Sequence, residues 1–263
     1  MAIEYESDRT DNPDYIYHEN QKDHSALTHF HSCFEYMYCS SGKLNLKKKK
    51  KNFIMVQGDA VLILPYQIHS NQTVNNSEDY VCVFSSSYVY SFFETHKNVF
   101  ATNPVFPFQK YADEVNASLQ DPGGNRYQKK ACLYKILAEF VKHTKFEIKN
   151  TGNSALLASL LDYVNDNWMN DISLKKISSI LHTNYNYLSY LFNETFKMNF
   201  SSFINETRIS NAQTMILNPS KNMNFAEIAI SCGYSSIRSF NRNFQIITGM
   251  TPSKYKSLHG RVK

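Results

Sequence analysis

The sequence predicts a two-domain protein of mixed α and β structure, in which a sheet-rich domain precedes an all-helical one. The chain has 263 residues, and a single domain usually contains about 100–200. Short apolar segments separated by turn residues fill the first third of the chain and favour a β-barrel or sandwich. Apolar residues at helical spacing dominate after about residue 126. A polar stretch with glycine and asparagine at 149–154 is the predicted linker.

The predicted strands lie between about residues 27 and 93. The segment "FEYMYCSSG" ends in a turn signal, "KLNL" alternates polar and apolar residues, and Gly58-Asp59 separates the two apolar runs of "NFIMVQGDAVLILP". The segment "YVCVFSSSYVYSFF" is rich in β-branched and aromatic residues, which favours another strand. Residues 1–25 are polar and predicted to be loosely ordered. Residues 94–110 contain two prolines and are predicted to be irregular.

Helical periodicity begins in "RYQKKACLYKILAEFVKHTKFEI". Apolar residues recur there at i, i+3, i+4, i+7 and i+8, which places one apolar stripe on a helix over about 126–146. This stripe packs either on the sheet of its own domain or on the same helix of a second copy. The predicted domains are therefore 1–148, for ligand sensing and dimerisation, and 155–263. The stripe consists of Leu133, Ile136, Leu137, Phe140 and Val141.

Everything after residue 155 has the pattern of short helices. Asn184, Asn224 and Ser236 are predicted N-caps, because their side-chain oxygens can accept hydrogen bonds from the free N–H groups of a first turn. Pro252 suits a first helical turn. The predicted helices span residues 155–168, 173–181, 184–196, 201–217, 225–232, 236–247 and 252–258.

Two pairs of these helices, "SLKKISSILHTNYNYLSYLFNETF" and "NFAEIAISCGYSSIRSFNRNF", have the arrangement of helix-turn-helix units. Such a unit needs a small residue where the helices cross and a residue that tolerates positive φ in the turn. Ala229 and Gly233 meet these needs in the second pair, and Ser178 and His182 take the equivalent places in the first. The alternative is a plain helical bundle with short loops. Two pairs in tandem, joined by a long helix, favour the helix-turn-helix interpretation.

The segment "GYSSIRSFNRNFQIITGMTPSKYK" resembles the signature of the AraC/XylS family of bacterial transcription regulators. The segments "ISSILHTNYNYLSYLF" and "FSSFINETRISNAQTMI" resemble the first helix-turn-helix and the central helix of that family, including Arg208 and Ala212 of its R-x3-A pattern. The resemblance covers about residues 155–258. Its landmarks in the first segment are Gly233, Tyr234, Phe240, Arg242, Phe244, Gly249, Thr251, Pro252 and Tyr255.

The resemblance implies a DNA-binding transcription regulator, not an enzyme, whose two recognition helices enter successive segments of the major groove. A central helix near 201–217 is roughly 26 Å long, which is compatible with recognition helices ~34 Å apart. Arginine can hold guanine with two hydrogen bonds, and asparagine can pair with adenine. The first recognition helix has no arginine, so it either reads thymine methyls and DNA shape through its tyrosines or contacts mainly the backbone. The residues that match the base-facing positions of the family are Tyr185, Asn186, Ser189 and Tyr190 in the first unit and Ile237, Arg238, Asn241 and Arg242 in the second.

The N-terminal segment "HFHSCFEYMYCSSG" has the spacing His29-x-His31-x3-Glu35. Residues two apart on a strand point to one face, and Glu35 joins them there if the strand continues. With "GDAVLILPYQIHSN", which supplies His69, this segment resembles the two motifs of the cupin barrel. It also resembles the arabinose-binding-type sensor domain that often precedes an AraC-type domain. The resemblance implies a small-molecule site made by His29, His31, Glu35 and His69.

Three imidazoles and a carboxylate also suit iron, zinc, manganese or nickel, and in cupin enzymes such a set holds a catalytic metal. The same side chains can instead hydrogen-bond a sugar or fill a polar pocket without metal. Phe34, Tyr36 and Tyr38 have the opposite strand parity and are expected on the outer face, against the following helices. The leading hypothesis is a transcription regulator controlled by a sugar or related metabolite. The alternatives are a metal-dependent cupin enzyme and a ligand-independent regulator whose barrel is a scaffold.

The net charge of +5 arises in the C-terminal part, because residues 151–263 contain 11 basic and 6 acidic side chains while residues 1–150 contain 17 of each. A basic domain attracts polyanions such as DNA. The lysine run Lys47–Lys51 lies in the other part, where it is predicted to form a solvated hairpin tip. The expected partners are double-stranded promoter DNA, a small-molecule effector, RNA polymerase and a second copy of the chain.

The five cysteines form no C-x-x-C pair, which argues against a disulfide framework and against a cysteine zinc site. The acidic N-terminus lacks the apolar segment of a signal peptide. No apolar run approaches the ~20 residues that span a bilayer. The cytoplasm is therefore the expected compartment, with no membrane partner and no cofactor beyond the divalent metal considered above.

Overall fold

The computed structural model describes residues 4–6, 9, 13–48, 51–96, 99–148, 153–217 and 223–259. The chain divides into two compact units, residues 1–150 and residues 151–263. The first is built on a sheet and the second on helices, so the predicted mixed class is confirmed. Within the described ranges, no helix combines the length and the apolar character needed to cross a membrane. Most of the predicted linker, residues 149–152, lies outside those ranges.

The first unit contains an eight-stranded, largely antiparallel sheet centred on its two longest strands, together with a separate pair of short strands. The sheet strands are β1 (Glu4–Tyr5), β2 (Ile16–Lys22), β3 (Ala26–Phe30), β4 (Phe34–Lys48), β5 (Lys51–Val56), β6 (Asp59–Ile63), β7 (His69–Phe84) and β9 (Val105–Pro107), and the separate pair is β8 (Val99–Ala101) with β10 (Phe146–Ile148). Among the residues described here, a 3-10 turn and three helices complete the unit. They are Ser86–Val89, α1 (Tyr90–His96), α2 (Gln109–Gln120) and α3 (Arg126–His143).

The ribbon formed by β4 and β7 is rolled so that its ends meet. Glu35 at the start of β4 pairs with Val83 near the end of β7. Its carboxylate nevertheless lies 3.5 Å from Nε2 of His69, the first residue of β7. Register irregularities in the middle of β4 bend the ribbon. Side chains that share the parity of Glu35, such as Met37 and Cys39, therefore face the interior and belong to a buried apolar cluster there.

The outer face of this sheet is covered by α2 and α3. Phe34, Tyr36 and Tyr38 pack into that outer core, as their strand parity predicts. The hydroxyl of Tyr36 donates to Asn116 at 3.2 Å, and the hydroxyl of Tyr38 donates to Gln109 at 2.9 Å. Both acceptors belong to α2, so these two contacts fix the helix against the sheet.

The predicted stripe on α3 is buried in the same outer core, apart from Val141. Its own domain therefore uses this face, and a second copy cannot pair through it. The helix starts at the predicted residue, where Asn125 caps it, and ends at His143 instead of residue 146. The chain then forms β10 beside β8.

Three other stretches differ from the prediction. The described residues within 1–25 include β1 and β2, which pair with β3 and β7. The chain leaves its strand after Phe84, because Ser85 accepts a hydrogen bond from the N–H of Ser87 and starts a helical turn. Residues 94–110 contain the end of α1, β8, β9 and the start of α2. Polar composition and aromatic content alone therefore misplaced these elements.

Lys48 is buried, contrary to the prediction of a solvated lysine run. The run does lie in a hairpin, because β4 pairs with β5 and Lys48 opposes Lys51. Lys47 and Lys51 are exposed, and residues 49–50 lie outside the described ranges. Lys48 shares the parity of Leu46, which points into the interior. Alternation along the strand therefore decides which lysines reach solvent.

Every element described in the second unit is a helix, and the boundaries agree with the predicted ones within two residues. The three predicted caps are confirmed: Asn184, Asn224 and Ser236 each accept a hydrogen bond from a first-turn N–H. Pro252 is the first residue of the last helix. The helices are α4 (Asn153–Asn167), α5 (Leu174–Ile180), α6 (Tyr185–Phe196), α7 (Phe200–Leu217), α8 (Phe225–Ser231), α9 (Ile237–Thr248) and α10 (Pro252–His259).

Candidate nucleic-acid interface and buried histidine site

The pairs α5–α6 and α8–α9 are connected by the same turn. Gly233 has φ of 76° in the second turn, and His182 has φ of 49° in the first. Each turn is a Schellman motif, in which the N–H after the positive-φ residue reaches back over five residues. The two bonds run from Thr183 N–H to Ser178 O at 2.9 Å and from Tyr234 N–H to Ala229 O at 3.0 Å. The equivalence of the pairs predicted from the sequence is thus present in the backbone.

Gly233 is also required by a close approach of the chain. A Cβ at this position would lie 2.4 Å from the carbonyl oxygen of Met169. Arg208 of α7 fixes that neighbouring segment, because its Nε donates to Trp168 O at 2.9 Å and its Nη2 to Asn170 O at 2.7 Å. The arginine that the sequence analysis matched to the R-x3-A pattern therefore connects the segment before α5 to the central helix.

The two recognition helices, α6 and α9, present equivalent positions to solvent. Leu188 and Phe192 anchor α6 in the core, and Phe240 and Phe244 anchor α9. The opposite face carries the residues predicted to contact bases, at the first, second, fifth and sixth positions of each helix. They are Tyr185, Asn186, Ser189 and Tyr190, and Ile237, Arg238, Asn241 and Arg242; all are exposed except the half-buried Ser189.

The arginines of α9 lie four residues apart and share one side of the helix. Within the described residues, neither Arg238 nor Arg242 takes part in an ion pair. The only acidic residue of the α8–α9 pair, Glu227, accepts a hydrogen bond from the N–H of Asn224 as part of its capping box. The α8–α9 pair therefore presents two uncompensated cations on α9.

The first unit of the chain contains a separate polar site, where the rolled ribbon closes. His29, His31, Glu35 and His69 are all buried, and one ligand atom from each lies within 4.8 Å of the others. His29 is the last residue but one of β3 and pairs with His69. His31 lies beyond β3, and Glu35 belongs to the next strand. The structure thus brings the four predicted residues together, although not along one continuous strand.

Each histidine of this cluster is oriented by a backbone carbonyl. Nδ1 of His29 lies 2.7 Å from Leu27 O, and Nδ1 of His69 lies 2.8 Å from Gln67 O. Donation from Nδ1 leaves Nε2 as the atom that points into the cluster. Within the described residues, neither of these two Nε2 atoms has a hydrogen-bond partner.

His31 lies between two acceptors. Its Nδ1 is 3.1 Å from Cys33 O, and its Nε2 is 2.7 Å from Oε2 of Glu35. A neutral imidazole has one N–H and can donate to only one of them. Burial lowers the pKa of His31, which favours the neutral form. One of the two contacts then lacks a proton. With the proton on Nδ1, the contact between Nε2 and Oε2 lacks it, and a cation beside Nε2 would relieve that contact.

The amino-terminal segment supplies a charged pair to this site that the sequence did not reveal. Nη1 of Arg9 lies 2.6 Å from Oε2 of Glu35, and Nε of Arg9 lies 2.7 Å from Oε2 of Glu6. Glu6 in turn lies 3.7 Å from Nε2 of His29. The parallel pairing of β1 with β3 brings these residues to the cluster.

Burial and neighbouring charge set the protonation of the cluster. Burial lowers the pKa of His29 to about 3, and nearby His69 adds to the effect. Burial alone would raise the pKa of Glu35, but the hydrogen bond from His31, the nearby imidazole of His69 and the charge of Arg9 hold that pKa well below its usual range. His29 and His31 are therefore neutral imidazoles beside an ionised carboxylate.

This donor set fits a divalent cation in ligand type and spacing. Three imidazole Nε2 atoms and one carboxylate are ligands that zinc, iron and manganese accept. Oε2 of Glu35, which lies 2.7 Å from Nε2 of His31 and 3.5 Å from Nε2 of His69, is also the oxygen that Arg9 holds. Ion binding would therefore require the guanidinium to move.

Comparison with known proteins finds a family match within the second unit. A family model described as a helix-turn-helix domain matches residues 177–257. The uncharacterized HTH-type transcriptional regulator YijO of Escherichia coli K12 is 26% identical over 126 residues, which are 46% of this chain and 44% of that protein. An uncharacterized HTH-type transcriptional regulator of Staphylococcus aureus strain MSSA476 is 28% identical over 124 residues, 47% of this chain and 16% of that protein. This chain thus matches less than half the length of either relative.

Residues 177–257 therefore form a helix-turn-helix domain. The fold of the chain also matches a crystal structure of ToxT from Vibrio cholerae, with a TM-score of 0.52 at 15% identity over 93% of this chain and 98% of that one. A wild-type ToxT structure with bound unsaturated fatty acid has the same score at 16% identity, over 92% and 94%. These likenesses show a shared fold.

Within the helix-turn-helix domain, the predicted contact residues are at equivalent positions of two helices, and none was displaced into the core. In the first unit, Arg9 and Glu6 are the residues that the sequence analysis missed. Their sequence carried no usable signal, because a short acidic and basic segment far from the His29-x-His31 motif reaches the site only through strand pairing. Asp79, buried on the interior face, was missed for a similar reason.

Proposed function

We propose that this protein is a transcription regulator that binds promoter DNA through both recognition helices of its AraC-type domain. The observation that carries the proposal is the repetition of one turn, one capping pattern and one exposed face in two units. The uncompensated cations of α9 add electrostatic attraction to the phosphate backbone. Both curated relatives are described as HTH-type transcriptional regulators, which supports this assignment.

The proposed base contacts follow from side-chain chemistry. Arg238 and Arg242 offer planar donor pairs for guanine, and Asn241 suits adenine. Ile237 is 47% exposed and offers an apolar contact for a thymine methyl. Tyr185, Asn186, Ser189 and Tyr190 offer apolar surface and hydrogen bonds without a charge, so α6 contributes less electrostatic attraction than α9.

Selection of DNA fragments by the purified full chain tests this proposal. We expect enriched fragments to share two short motifs about one helical turn, ~34 Å, apart. Footprinting on an enriched fragment should protect two major-groove segments on one face. Failure to enrich any motif at low salt, with the chain folded, contradicts the proposal.

We further propose that a small molecule, a sugar or related metabolite, binds inside the rolled sheet next to the histidine cluster. Buried polar groups that have no hydrogen-bond partner among the described residues, such as Nε2 of His29 and of His69, are suited to the hydroxyl groups of such a ligand. Binding would shift the population of arrangements that the protein adopts and so change its DNA binding. The ligand-independent alternative keeps the same barrel as a scaffold.

Thermal denaturation with a panel of ligands separates these alternatives. A ligand at a hundred times its Kd should stabilise the native state by ~2.7 kcal/mol. The panel should contain sugars, sugar acids and unsaturated fatty acids, since the ToxT structure named above holds a fatty acid. Stabilisation that disappears in His69→Ala supports the site, and no response to any member favours the scaffold.

A second candidate for the effector is a divalent metal ion, favoured by the position of His31 between two acceptors. His29, His31, Glu35 and His69 would hold the ion, which would supply a positive charge beside Glu35. The metal-dependent cupin enzyme of the sequence analysis would need this ion and a substrate, and the regulator proposal needs neither. Metal analysis of purified full chain and of His31→Ala distinguishes the cases: stoichiometric metal lost in the variant favours the ion.

A homodimer is proposed through the exposed side of α3. The spacing of residues on that side is four, three, four and three, which is the spacing of a coiled-coil seam. Alternating small residues permit close approach of two helices. The seam consists of Tyr127, Ala131, Tyr134, Ala138 and Val141, all exposed in one chain. Sedimentation of wild type as a dimer and of Ala138→Glu as a monomer supports the seam, and a wild-type monomer at micromolar concentration contradicts it.

Promoter binding also implies two further proposals. RNA polymerase is the expected protein partner on the promoter, and the cytoplasm is the compartment in which both would meet the protein. Neither proposal needs a catalytic activity. A pull-down of the DNA-bound chain with purified polymerase tests the first of them.

A further inference from the structure

A groove of about 780 Å³ lies beside the first recognition helix, within the helix-turn-helix domain. It is bounded by the start of α5, one side of α6 and the start of α7. Tyr185, Ser189 and Asn193 form its wall on α6, at i, i+4 and i+8. Tyr185 and Ser189 also belong to the proposed DNA-contacting face. The groove therefore continues that face toward the central helix.

The groove is cationic. Lys175 is exposed at its edge, and the half-buried Arg208 contributes a second positive charge. Among the described residues that line it, none is acidic. An anion is the ligand that this charge distribution favours.

The polar side chains of the groove present mainly donors. Asn199 accepts the N–H of Ser202 through Oδ1, and Asn205 accepts the hydroxyl of Tyr234 through Oδ1. The amide NH2 group of each asparagine then remains available. Ser173 likewise accepts a backbone N–H through Oγ, which leaves its hydroxyl proton free to donate. Donor-rich, acceptor-poor surroundings match the oxygens of a phosphodiester, which only accept.

The two helix-turn-helix units place their cations differently. The α8–α9 pair has Arg238 and Arg242 on α9, whereas α8 carries no basic residue. The α5–α6 pair reverses this, because α6 carries no basic residue and α5 has Lys175 and Lys176 as its second and third residues. Cations outside a recognition helix contact phosphates, which position a protein without reading sequence.

We propose that this groove holds the sugar-phosphate backbone of the DNA strand beside the α5–α6 pair. In this arrangement α5 and α7 anchor the duplex, and α9 supplies most of the base reading. The proposal rests on the DNA-binding function proposed above and names residues that no base-facing position includes. Lys175 contacts a phosphate, Ser201 and Asn199 at the start of α7 donate to its oxygens, and Asn193 closes the wall on α6.

A salt titration of DNA binding tests the groove. The full chain, Lys175→Gln and a control, Lys197→Gln, are measured on one fragment enriched by the protein and on a scrambled fragment. Lys197 is an exposed lysine at the other end of α6 that pairs with Glu194 at 3.1 Å. We expect Lys175→Gln to weaken binding to both fragments by the same factor and to reduce the slope of log K against log salt by ~0.9. Lys197→Gln should behave as wild type.

A second variant tests the groove by repulsion. Ser201→Glu adds a carboxylate to the groove, and Ser201 is exposed, so the fold should tolerate it. We expect at least tenfold weaker binding to both fragments at low salt. Wild-type binding by Ser201→Glu, or an unchanged salt slope in Lys175→Gln, overturns the proposal. A loss confined to the enriched fragment also overturns it, because that pattern indicates base reading.

The outcome separates this proposal from the function on which it rests. If the wild-type chain binds no enriched fragment, the DNA-binding function fails before the groove is tested. A free phosphorylated molecule is the other source of the same ligand chemistry. Stabilisation of the wild-type chain by 10 mM inorganic phosphate, lost in Lys175→Gln, together with unchanged DNA binding of that variant, would assign the groove to such a molecule and overturn the backbone contact.

Discussion

Arg9 donates from Nη1 to Oε2 of Glu35 over 2.6 Å, and this pair joins the amino-terminal segment to the interior of the rolled sheet. The side chain of Glu35 is 5% exposed, and that of Arg9 is 18% exposed. Nε2 of His31 lies 2.7 Å from the same oxygen of Glu35. A buried carboxylate thus depends on a residue 26 positions away in the sequence.

Replacement of Arg9 by methionine should destabilise the first unit. The variant keeps the apolar stem but leaves the Glu35 carboxylate without its cation, and breaking a buried pair from one side costs about 3 kcal/mol. Amide hydrogen exchange of β4 and β7 measures the effect without contribution from the second unit. Lys22→Met is the control. Lys22 pairs with Glu78 at 3.1 Å on the surface, where the two side chains are 71% and 51% exposed, and its loss should change stability by ~1 kcal/mol or less. Equal effects of the two variants would show that the Arg9 pair is no more than a surface contact.

Asp79 should make the first unit less stable at high pH. Asp79 is 2% exposed, and within the described residues neither carboxylate oxygen has a hydrogen-bond partner. Burial, followed by the charges of Glu35 and Glu19, raises its pKa from 3.8 to about 7. The folded state therefore binds this proton more tightly than the unfolded state. The contribution of Asp79 to stability is largest below pH ~4, falls as pH rises to about 7, and stays low above that.

The full shift corresponds to roughly 4 kcal/mol, and water penetration reduces this figure. Asp79→Asn has nearly the same shape and no titratable group. It should match wild type near pH 4 and exceed it in stability at pH 8, as read from urea midpoints followed by hydrogen exchange of β7. Asp113→Asn, at an exposed position of α2, is the control. A parallel pH profile of wild type and Asp79→Asn would mean that Asp79 is solvated in solution.

Local chemistry made the second unit predictable. Side-chain caps such as Asn184 and Ser236 act within three residues, and positive φ at His182 and Gly233 is a property of one turn. The spacing of His29, His31 and Glu35 also predicted the histidine cluster. That prediction assumed one continuous strand, whereas His31 lies beyond the end of β3. Short-range signals therefore identified both candidate sites.

Pairing between distant segments was not predictable in the same way. Arg9 reaches Glu35 because β1 pairs with β3. Lys48 is buried because the bent strand β4 turns the side chain of Lys48 toward the interior. Asp79 is buried because it shares an interior face with Val81. The polar sequence around Asp79 does not indicate this orientation. These outcomes depend on sheet register, and a one-residue change in register would reverse the orientation of every side chain.

Gly233 and Gly249 provide a matched pair of turn glycines. Their φ angles are 76° and 73°, so alanine is strained at both. A Cβ at Gly249 would meet nothing within 4 Å, whereas a Cβ at Gly233 would lie 2.4 Å from Met169 O. Gly249→Ala should cost ~1 kcal/mol from backbone strain alone. Gly233→Ala should cost ~3 kcal/mol or more, because the segment that Arg208 holds must shift.

Fluorescence of Trp168 reports this difference. Trp168 is the only tryptophan of the chain, and it packs against the apolar core of the second unit. Urea unfolding followed at this residue should rank wild type, Gly249→Ala and Gly233→Ala in that order. Equal midpoints for the two variants would mean that the segment around Met169 moves aside at little cost.

Arg242 and Arg238 should separate base reading from charge. Arg→Ala at either position should weaken binding to an enriched DNA fragment by ~1–3 kcal/mol if the side chain holds a base with two hydrogen bonds. Arg242→Lys keeps the charge and loses the planar pair of donors. It should therefore bind scrambled DNA as wild type does, with an unchanged salt slope, and yet lose preference at one base pair. Titrations with fragments that carry single base-pair changes measure that preference. If Arg242→Lys retains the full wild-type preference, Arg242 contacts phosphate, and α9 reads its site through Asn241 and Ile237.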